Sequence, residues 1–179
     1  MNLAEIRAAQ LEDAEGIAKV IVSAWRDTYR GLMPDHVLDH LSVEERAERW
    51  KKRLEDGIDP YHRVLVTEAN GRVTGFASYG SNLEDDPQYR GEIHALYILN
   101  EYRSQGLGRK LVFRAASALL DLNMNSMVVW VLSANPYRKF YERLGGKYLY
   151  EKPGLVSGIL LEKTAYSWED LNSLTETGG

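Results

Sequence analysis

The sequence predicts an α/β fold, a mixed and mostly antiparallel central sheet with helices on both faces. Three observations predict it. Seven short apolar runs read as strands and are interleaved with four stretches of helical periodicity. Asn70-Gly71, between two of those runs, is a two-residue hairpin signal and makes that pair antiparallel. Strand, helix and strand between residues 92 and 132 imply a parallel pair joined by a right-handed crossover.

The elements follow in order. Residues 3–9 read as a strand, with Leu3 and Ile6 apolar. Asp13 can cap a helix to about Tyr29, whose apolar stripe is Ile17, Val20, Ile21, Ala24 and Trp25. Gly31 and Pro34 end it. Ser42 with Glu45 forms a capping box for a second helix to Leu54, mostly a solvated face. Strands follow at His62–Glu68 and from Arg72 to about Gly80. A polar loop over Asn82–Arg90 contains Pro87, and Glu92–Leu99 is the next strand. Gly106 to about Leu122 is a helix with Leu107, Leu111, Val112, Ala115 and Leu119 on its apolar face. Met127–Leu132 is uniformly apolar, as in a strand buried on both faces. Asn135-Pro136 reads as a helix start and Gly145-Gly146 as its end. Two further strands are expected near Lys147–Glu151 and Gly158–Thr164.

A chain of 179 residues suits a single domain over residues 1–174, with a short flexible tail at 175–179. Hydrophobic residues make up 44%, enough for a real core. The absence of cysteine excludes disulfides, thiolate metal sites and a cysteine nucleophile. A net charge of −4 with one small basic excess argues against nucleic acid as a partner. No signal peptide and no apolar run of membrane-spanning length is legible, so a cytoplasmic protein is expected. A homodimer is an assembly the sequence leaves open.

The chemistry concentrates after Leu96-Tyr97-Ile98, in Arg103-Ser104-Gln105-Gly106-Leu107-Gly108-Arg109. A strand ends here and a turn opens a helix. The first turn of a helix has unpaired N–H groups and a partial positive charge, which suits a phosphate. Gly106 and Gly108 remove side chains that would hold a pyrophosphate off the backbone. Arg103, Arg109, Lys110 and Arg114 against Glu101 leave a local excess of three positive charges. A dinucleotide fingerprint needs a third glycine, and a Walker loop needs Gly-Lys-Ser/Thr; both are missing.

Arg-x-x-Gly-x-Gly after an apolar strand resembles the coenzyme A signature of the GCN5-related N-acetyltransferase (GNAT) superfamily. Asn135-Pro136 and Phe140-Tyr141-Glu142-Arg143-Leu144-Gly145-Gly146 resemble that family's next motif. Ile6-Arg7 with Asp13, and Trp25-Arg26 with Tyr29-Arg30, resemble its bacterial N-terminal pattern. The order of elements above fits the acyl-CoA N-acyltransferase fold.

The resemblance implies an enzyme that moves the acetyl group of acetyl-CoA, its co-substrate, directly to a primary amine. It implies that Leu96, Tyr97 and Ile98 pair their backbone with the pantetheine arm, that Arg103 to Arg109 wrap the pyrophosphate, and that Asn135 both caps its helix and reaches the cofactor. It makes Tyr141 the candidate general acid for the departing thiolate; its alternative role is packing beside Phe140. Glu92, eleven residues before Arg103, resembles the catalytic glutamate of several members. By parity it shares a strand face with His94, Leu96 and Ile98. His94 or a chain of waters are the other candidate bases. A catalytically silent acyl-CoA sensor on the same fold is the rival reading.

Two other signals fail. His36 and His40 sit one helical turn apart but lack a third ligand, so no metal is expected. Phe76-Ala77-Ser78-Tyr79-Gly80 approaches a serine nucleophile elbow, but its first glycine is misplaced and no helix follows. By family analogy the acceptor pocket involves the first helices and the loop before residue 92. Trp25, Tyr29 and Tyr79 are its candidate residues, with Tyr61 and Tyr89 also available and Glu84, Asp85 and Asp86 near in sequence. Aromatics and carboxylates suit a cationic amine. Small amine, polyamine, amino acid and protein N-terminus all remain open as acceptor.

Overall fold

Alternating apolar runs and amphipathic stretches resolve into seven strands and six α-helices among the residues described by the computed structural model, 4–55, 62–84 and 86–175. They are β1 (Glu5–Ala8), α1 (Ala14–Tyr29), α2 (Asp35–Asp39), α3 (Val43–Glu55), β2 (His62–Ala69), β3 (Arg72–Ser81), β4 (Gly91–Ile98), α4 (Leu107–Asp121), β5 (Met127–Leu132), α5 (Lys139–Arg143), β6 (Lys147–Val156), β7 (Ile159–Trp168) and α6 (Asn172–Thr175). The strands are ordered β1-β2-β3-β4-β5-β7-β6. Leu3, Tyr61, Asp85 and the tail from residue 176 lie outside the described residues. No described helix is long and apolar enough to cross a membrane.

Two compact units divide the chain, one of Met1–Tyr79 with Ala95–Val112 and one of Gly80–His94 with Phe113–Gly179. In the first, β1 pairs antiparallel with β2, Arg7 opposite Val66. The β2–β3 turn is Asn70-Gly71, with φ of 53° and 72°. Two consecutive positive φ values define the hairpin turn that fits strand twist, and Asn-Gly is the pair that adopts it at least cost. Gly31 and Pro34 follow the end of α1, whose Ile17, Ala18, Val20, Val22 and Ala24 are fully or almost fully buried. Ser42 Oγ accepts the Glu45 N–H at 3.1 Å and starts α3.

Asp13 behaves differently from the sequence expectation. Its carboxylate makes no cap on α1. It accepts the Gln10 N–H at 2.7 Å and takes two hydrogen bonds from the Arg7 guanidinium, at 2.7 and 2.9 Å. The same guanidinium reaches Glu68 on β2 through Nε and Nη2, at 2.9 and 2.6 Å. One cation thus ties the strand edge to the entrance of α1. Burial works to raise the Asp13 carboxyl, but the Arg7 and Gln10 hydrogen bonds outweigh it and hold it below the ordinary value.

In the second unit, Gly91, Glu92 and Ile93 pair parallel with Met127, Val128 and Val129, as the crossover pattern requires. β5 pairs antiparallel with β7, Met127 opposite Trp168. β6 and β7 run longer than the sequence suggests and form one hairpin. Ser157 and Gly158, with φ of 50° and 79°, make its turn. Pro153 sits inside β6 opposite Glu162, which is tolerated because β6 is the outer strand. Asn135-Pro136 does not begin the next helix; α5 starts at Lys139. Asn135 Oδ1 instead accepts the Tyr137 N–H at 2.8 Å, and this side-chain turn takes the place of the first helical turn.

Asp13→Asn should lower stability by about 1–3 kcal/mol at neutral pH, the usual cost of unpairing a largely buried charge network. A depressed carboxylate contributes stability above its unfolded value of 3.8, and that contribution is lost as pH falls through the lower folded value. Urea titrations should therefore show the gap between variant and wild type closing only below about pH 3.8.

Candidate active site

The turn after β4 has the backbone of a cradle. Ser104 and Gly106 have φ of 60° and 78°. Gly106 needs glycine for this left-handed conformation; a Cβ there would meet nothing within 4 Å. The space in front of it is open, which fits a pyrophosphate at the start of α4. The Gly106 carbonyl accepts the Lys110 N–H at 3.1 Å, so Leu107 and Gly108 open the helix with N–H groups that have no partner inside it. Gln105 Nε2 donates to the Glu101 carbonyl at 3.0 Å and braces the turn. Arg109 is exposed. Arg103 is half-buried and turned back on the protein, with Nε donating to the Ile98 carbonyl at 3.1 Å and Nη2 to Thr28 Oγ1 at 3.4 Å. It fixes the end of β4.

Strand alternation divides the C-terminal half of β4. Leu96 and Ile98 pack with Ile6, Ala77 and Leu111. Ala95 and Tyr97 line a cavity of about 340 Å³ with Ile21, Trp25, Arg46, Arg49, Trp50, Arg53 and Phe76. Of the acceptor residues expected from the sequence, Trp25 lines this cavity. Tyr29 packs edge-on against Trp25 at 5.4 Å, and neither it nor Tyr79 is among the lining residues. Tyr89 belongs to a core cluster with Val128 and Ala165. Glu84 is ion-paired with Lys152. Tyr61 and Asp85 lie outside the described residues. Sequence reasoning missed the arginines, although Arg46, Arg49, Trp50 and Arg53 have the i, i+3, i+4, i+7 spacing of one helix face.

In the second unit Glu92 is 6% exposed. Its Oε2 accepts the Leu83 N–H at 2.8 Å. Burial pushes its carboxyl above the ordinary value of 4.5. Glu84 adds to the rise, while the Leu83 hydrogen bond, Lys163 and Lys152 oppose it. His94 holds its Nε2 2.9 Å from the Ser81 carbonyl, which fixes a proton on that nitrogen. Tyr141 is 8% exposed, edge-on to Phe140 at 5.1 Å and stacked on Tyr166 at 6.1 Å. Asn135 is half-buried at the turn before α5. The two rejected signals have local partners: His40 Nδ1 lies 2.6 Å from the His36 carbonyl, and Ser78 Oγ lies 2.7 Å from His62 Nε2 in the middle of β3. Among the described residues no group of three or more His, Asp or Glu could hold a metal ion.

Residues 22–146 match the model of the acetyltransferase (GNAT) family, and the chain belongs to that family. It is 36% identical over 169 residues to the uncharacterized N-acetyltransferase YuaI of Bacillus subtilis (strain 168), covering 94% of this chain and 95% of that protein. It is 38% identical over 130 residues to the L-amino acid N-acyltransferase MnaT of Escherichia coli (strain K12), covering 73% and 71%. The solved structure of yncA from Salmonella typhimurium, with its cofactor acetyl-CoA, aligns with a TM-score of 0.67 at 26% identity over 95% of both chains.

A buried carboxyl with a raised pKa destabilises the fold once it must ionise. Glu92→Gln keeps an acceptor for the Leu83 N–H and removes the charge. Wild-type stability should fall as pH rises from 4.5 through the higher folded value and then level off. The variant should lack that fall and melt a few degrees higher at neutral pH, roughly 2–4 °C for each 1 kcal/mol in a chain of this size. Melting curves of both proteins across pH 4–8 check it.

Proposed function

We propose that the protein is an acetyl-CoA-dependent N-acetyltransferase that acts as one domain over residues 1–174 and acetylates a primary amine in a ternary complex. The observation that carries this reading is the build of β4. One strand holds a buried carboxyl of raised pKa near its start and runs at its end into a positive-φ turn opening a helix. Membership of the family and the acetyl-CoA bound to yncA support it.

Acetyl-CoA, when bound, would supply the acetyl thioester. In this reading Leu96, Tyr97 and Ile98 offer backbone groups to the pantetheine arm. Ser104, Gln105, Gly106, Leu107 and Gly108 cradle the pyrophosphate, with Arg109 supplying charge, Arg103 holding the turn in place and Asn135 reaching the cofactor. The Glu92 carboxylate takes a proton from the acceptor's ammonium. A pKa displaced toward neutrality makes it a better match for that transfer than an ordinary carboxylate. The freed amine lone pair forms the C–N bond, the C–S bond breaks as the Tyr141 phenol donates a proton to the departing sulfur, and the second proton leaving the nitrogen restores the phenol through solvent. The products are an N-acetyl amine and a free thiol. No cysteine is present to carry an acetyl group between half-reactions, which favours direct transfer.

The deciding experiment is thiol release from acetyl-CoA over a panel of amines. Turnover supports the enzyme; micromolar binding without turnover would make the protein an acyl-CoA sensor. With an accepted amine, Glu92→Gln should lower kcat about 10²–10⁴-fold near pH 7, the span of general base catalysis. The loss should shrink at high pH, where more of the amine is already neutral. Tyr141→Phe keeps the ring among Phe140, Tyr166 and Trp168 and removes one hydroxyl. It should lower kcat about 10–10³-fold, or 1.4–4 kcal/mol of barrier, with little change in the KM for acetyl-CoA. Unchanged kcat in a stable variant would leave Tyr141 a packing residue.

A further inference from the structure

The cavity beside Ala95 and Tyr97 has a composition that selects its ligand. Its walls are aromatic: Trp25, Trp50, Phe76 and Tyr97. Its rim holds three guanidinium groups, Arg46, Arg49 and Arg53, and no acidic residue lines it. None of the three has a salt bridge or hydrogen bond to a carboxylate among the described residues, whereas Arg7, Arg30, Arg72 and Arg138 all do. Two of them lie over rings instead: Arg46 stands 5.5 Å from the centre of Trp25 and Arg53 5.0 Å from that of Trp50. Stacking fixes a guanidinium while leaving its N–H edge open to a planar anion.

The arrangement costs stability as it stands. Arg46 is half-buried, and loss of water lowers its pKa; the Tyr97 phenol and Glu45 oppose that drop and Arg49 adds to it. The indole Nε1 of Trp25 is buried without a hydrogen-bond partner. It influences the Tyr97 phenol, whose pKa burial raises and the indole and Arg46 restrain, without closing a bond of ordinary length. Arginines with no salt bridge to a carboxylate among the described residues, and a buried indole donor without a hydrogen bond of ordinary length, are what a bound anion would satisfy. A cavity of about 340 Å³ has room for a small ligand.

We propose that this cavity anchors the acceptor through a carboxylate, so that the substrate is an amino acid with an apolar or aromatic side chain and not a polyamine. The carboxylate meets Arg46, Arg49 and Arg53, and the side chain lies against Trp25, Trp50 and Tyr97. The proposal rests on the acetyltransferase reading for calling the ligand an acceptor; the anion selectivity of the cavity does not depend on it. It replaces the expectation that aromatics and carboxylates would favour a cationic amine, since the lining carries arginine and Glu84 is taken by Lys152.

The test is calorimetric binding of L-phenylalanine and L-leucine, each against its primary amide, with and without coenzyme A. Spermidine is the cationic control. Each amino acid should bind at least tenfold more tightly than its amide, and spermidine should not bind. Arg49→Gln and Arg53→Gln change exposed positions of α3 and should fold normally; together they should erase the preference for the acid. Coenzyme A should bind alongside the amino acid. Equal or tighter binding of the amides, or no binding of either acid, overturns the proposal. Displacement of the amino acid by coenzyme A would give the cavity to nucleotide phosphates and also overturns it. Thiol release with spermidine but with neither acid would keep the acetyltransferase and reject the carboxylate anchor. Absence of coenzyme A binding and of all thiol release would reject the acetyltransferase itself.

Discussion

The close approach of β3 to β4 at Gly75 is the constraint on which the first unit depends. A Cβ at residue 75 would lie 2.9 Å from the Tyr97 carbonyl oxygen, from Ile98 Cγ1 and from Thr67 Oγ1. Backbone cannot yield as a flexible side chain can, so this position has no room for any other residue. With the strands so close, β4 can turn Leu96 and Ile98 toward Ala77 and Leu111 and present Ala95 and Tyr97 to the cavity. Period-two alternation does the sorting. One strand supplies core on one face and binding surface on the other, and its last carbonyl, at Ile98, is held by Arg103 just before the turn into α4.

Charge placement follows a second rule. Most charged residues are exposed and many are paired. Glu92 is buried instead, and among the described residues the cavity arginines have no salt bridge to a carboxylate. Loss of water costs free energy at Glu92 and at half-buried Arg46. Sites that must bind or move charge commonly give up local stability in this way. Asp13 is the contrast: it is about as buried as Glu92, yet it faces Arg7 directly and keeps its proton off at lower pH than usual. The difference lies in the nearest partner, a guanidinium for one carboxylate and a single backbone N–H for the other.

Much of this was legible in the sequence because the signals are local. Asn70-Gly71 announces its turn through the two residues that accept positive φ. Met127–Leu132 announces a buried strand through unbroken apolarity. The stripe of α1 is periodic enough to place its buried face. What escaped depends on partners distant in sequence. Ser157-Gly158 is also a hairpin signal, but Pro153 argues against a strand unless β6 is known to be the outer one. Asn135-Pro136 has the chemistry of a helix start, and only the hydrogen bond from Tyr137 N–H to Asn135 Oδ1 shows that the side chain closes a turn instead. Parity placed Glu92 on a strand face without revealing its burial, because Leu83, whose N–H meets its carboxylate, lies outside any regular element. The arginines of α3 alternate with glutamates and lysines, so they read as solvent-facing until Trp25, Phe76 and Tyr97 are brought beneath them.

Pro153 has a consequence for the free edge of the sheet. An outer strand presents a row of donors and acceptors onto which a stray chain can add, and the β6–β7 hairpin also exposes Leu155 and Leu160 near its turn. Proline removes one N–H from that row. It also lies between Lys152 and Gly154, neither of which offers an apolar side chain to an added strand. The edge is therefore a poor template for amyloid-like growth just where its hydrophobic tip would otherwise invite it.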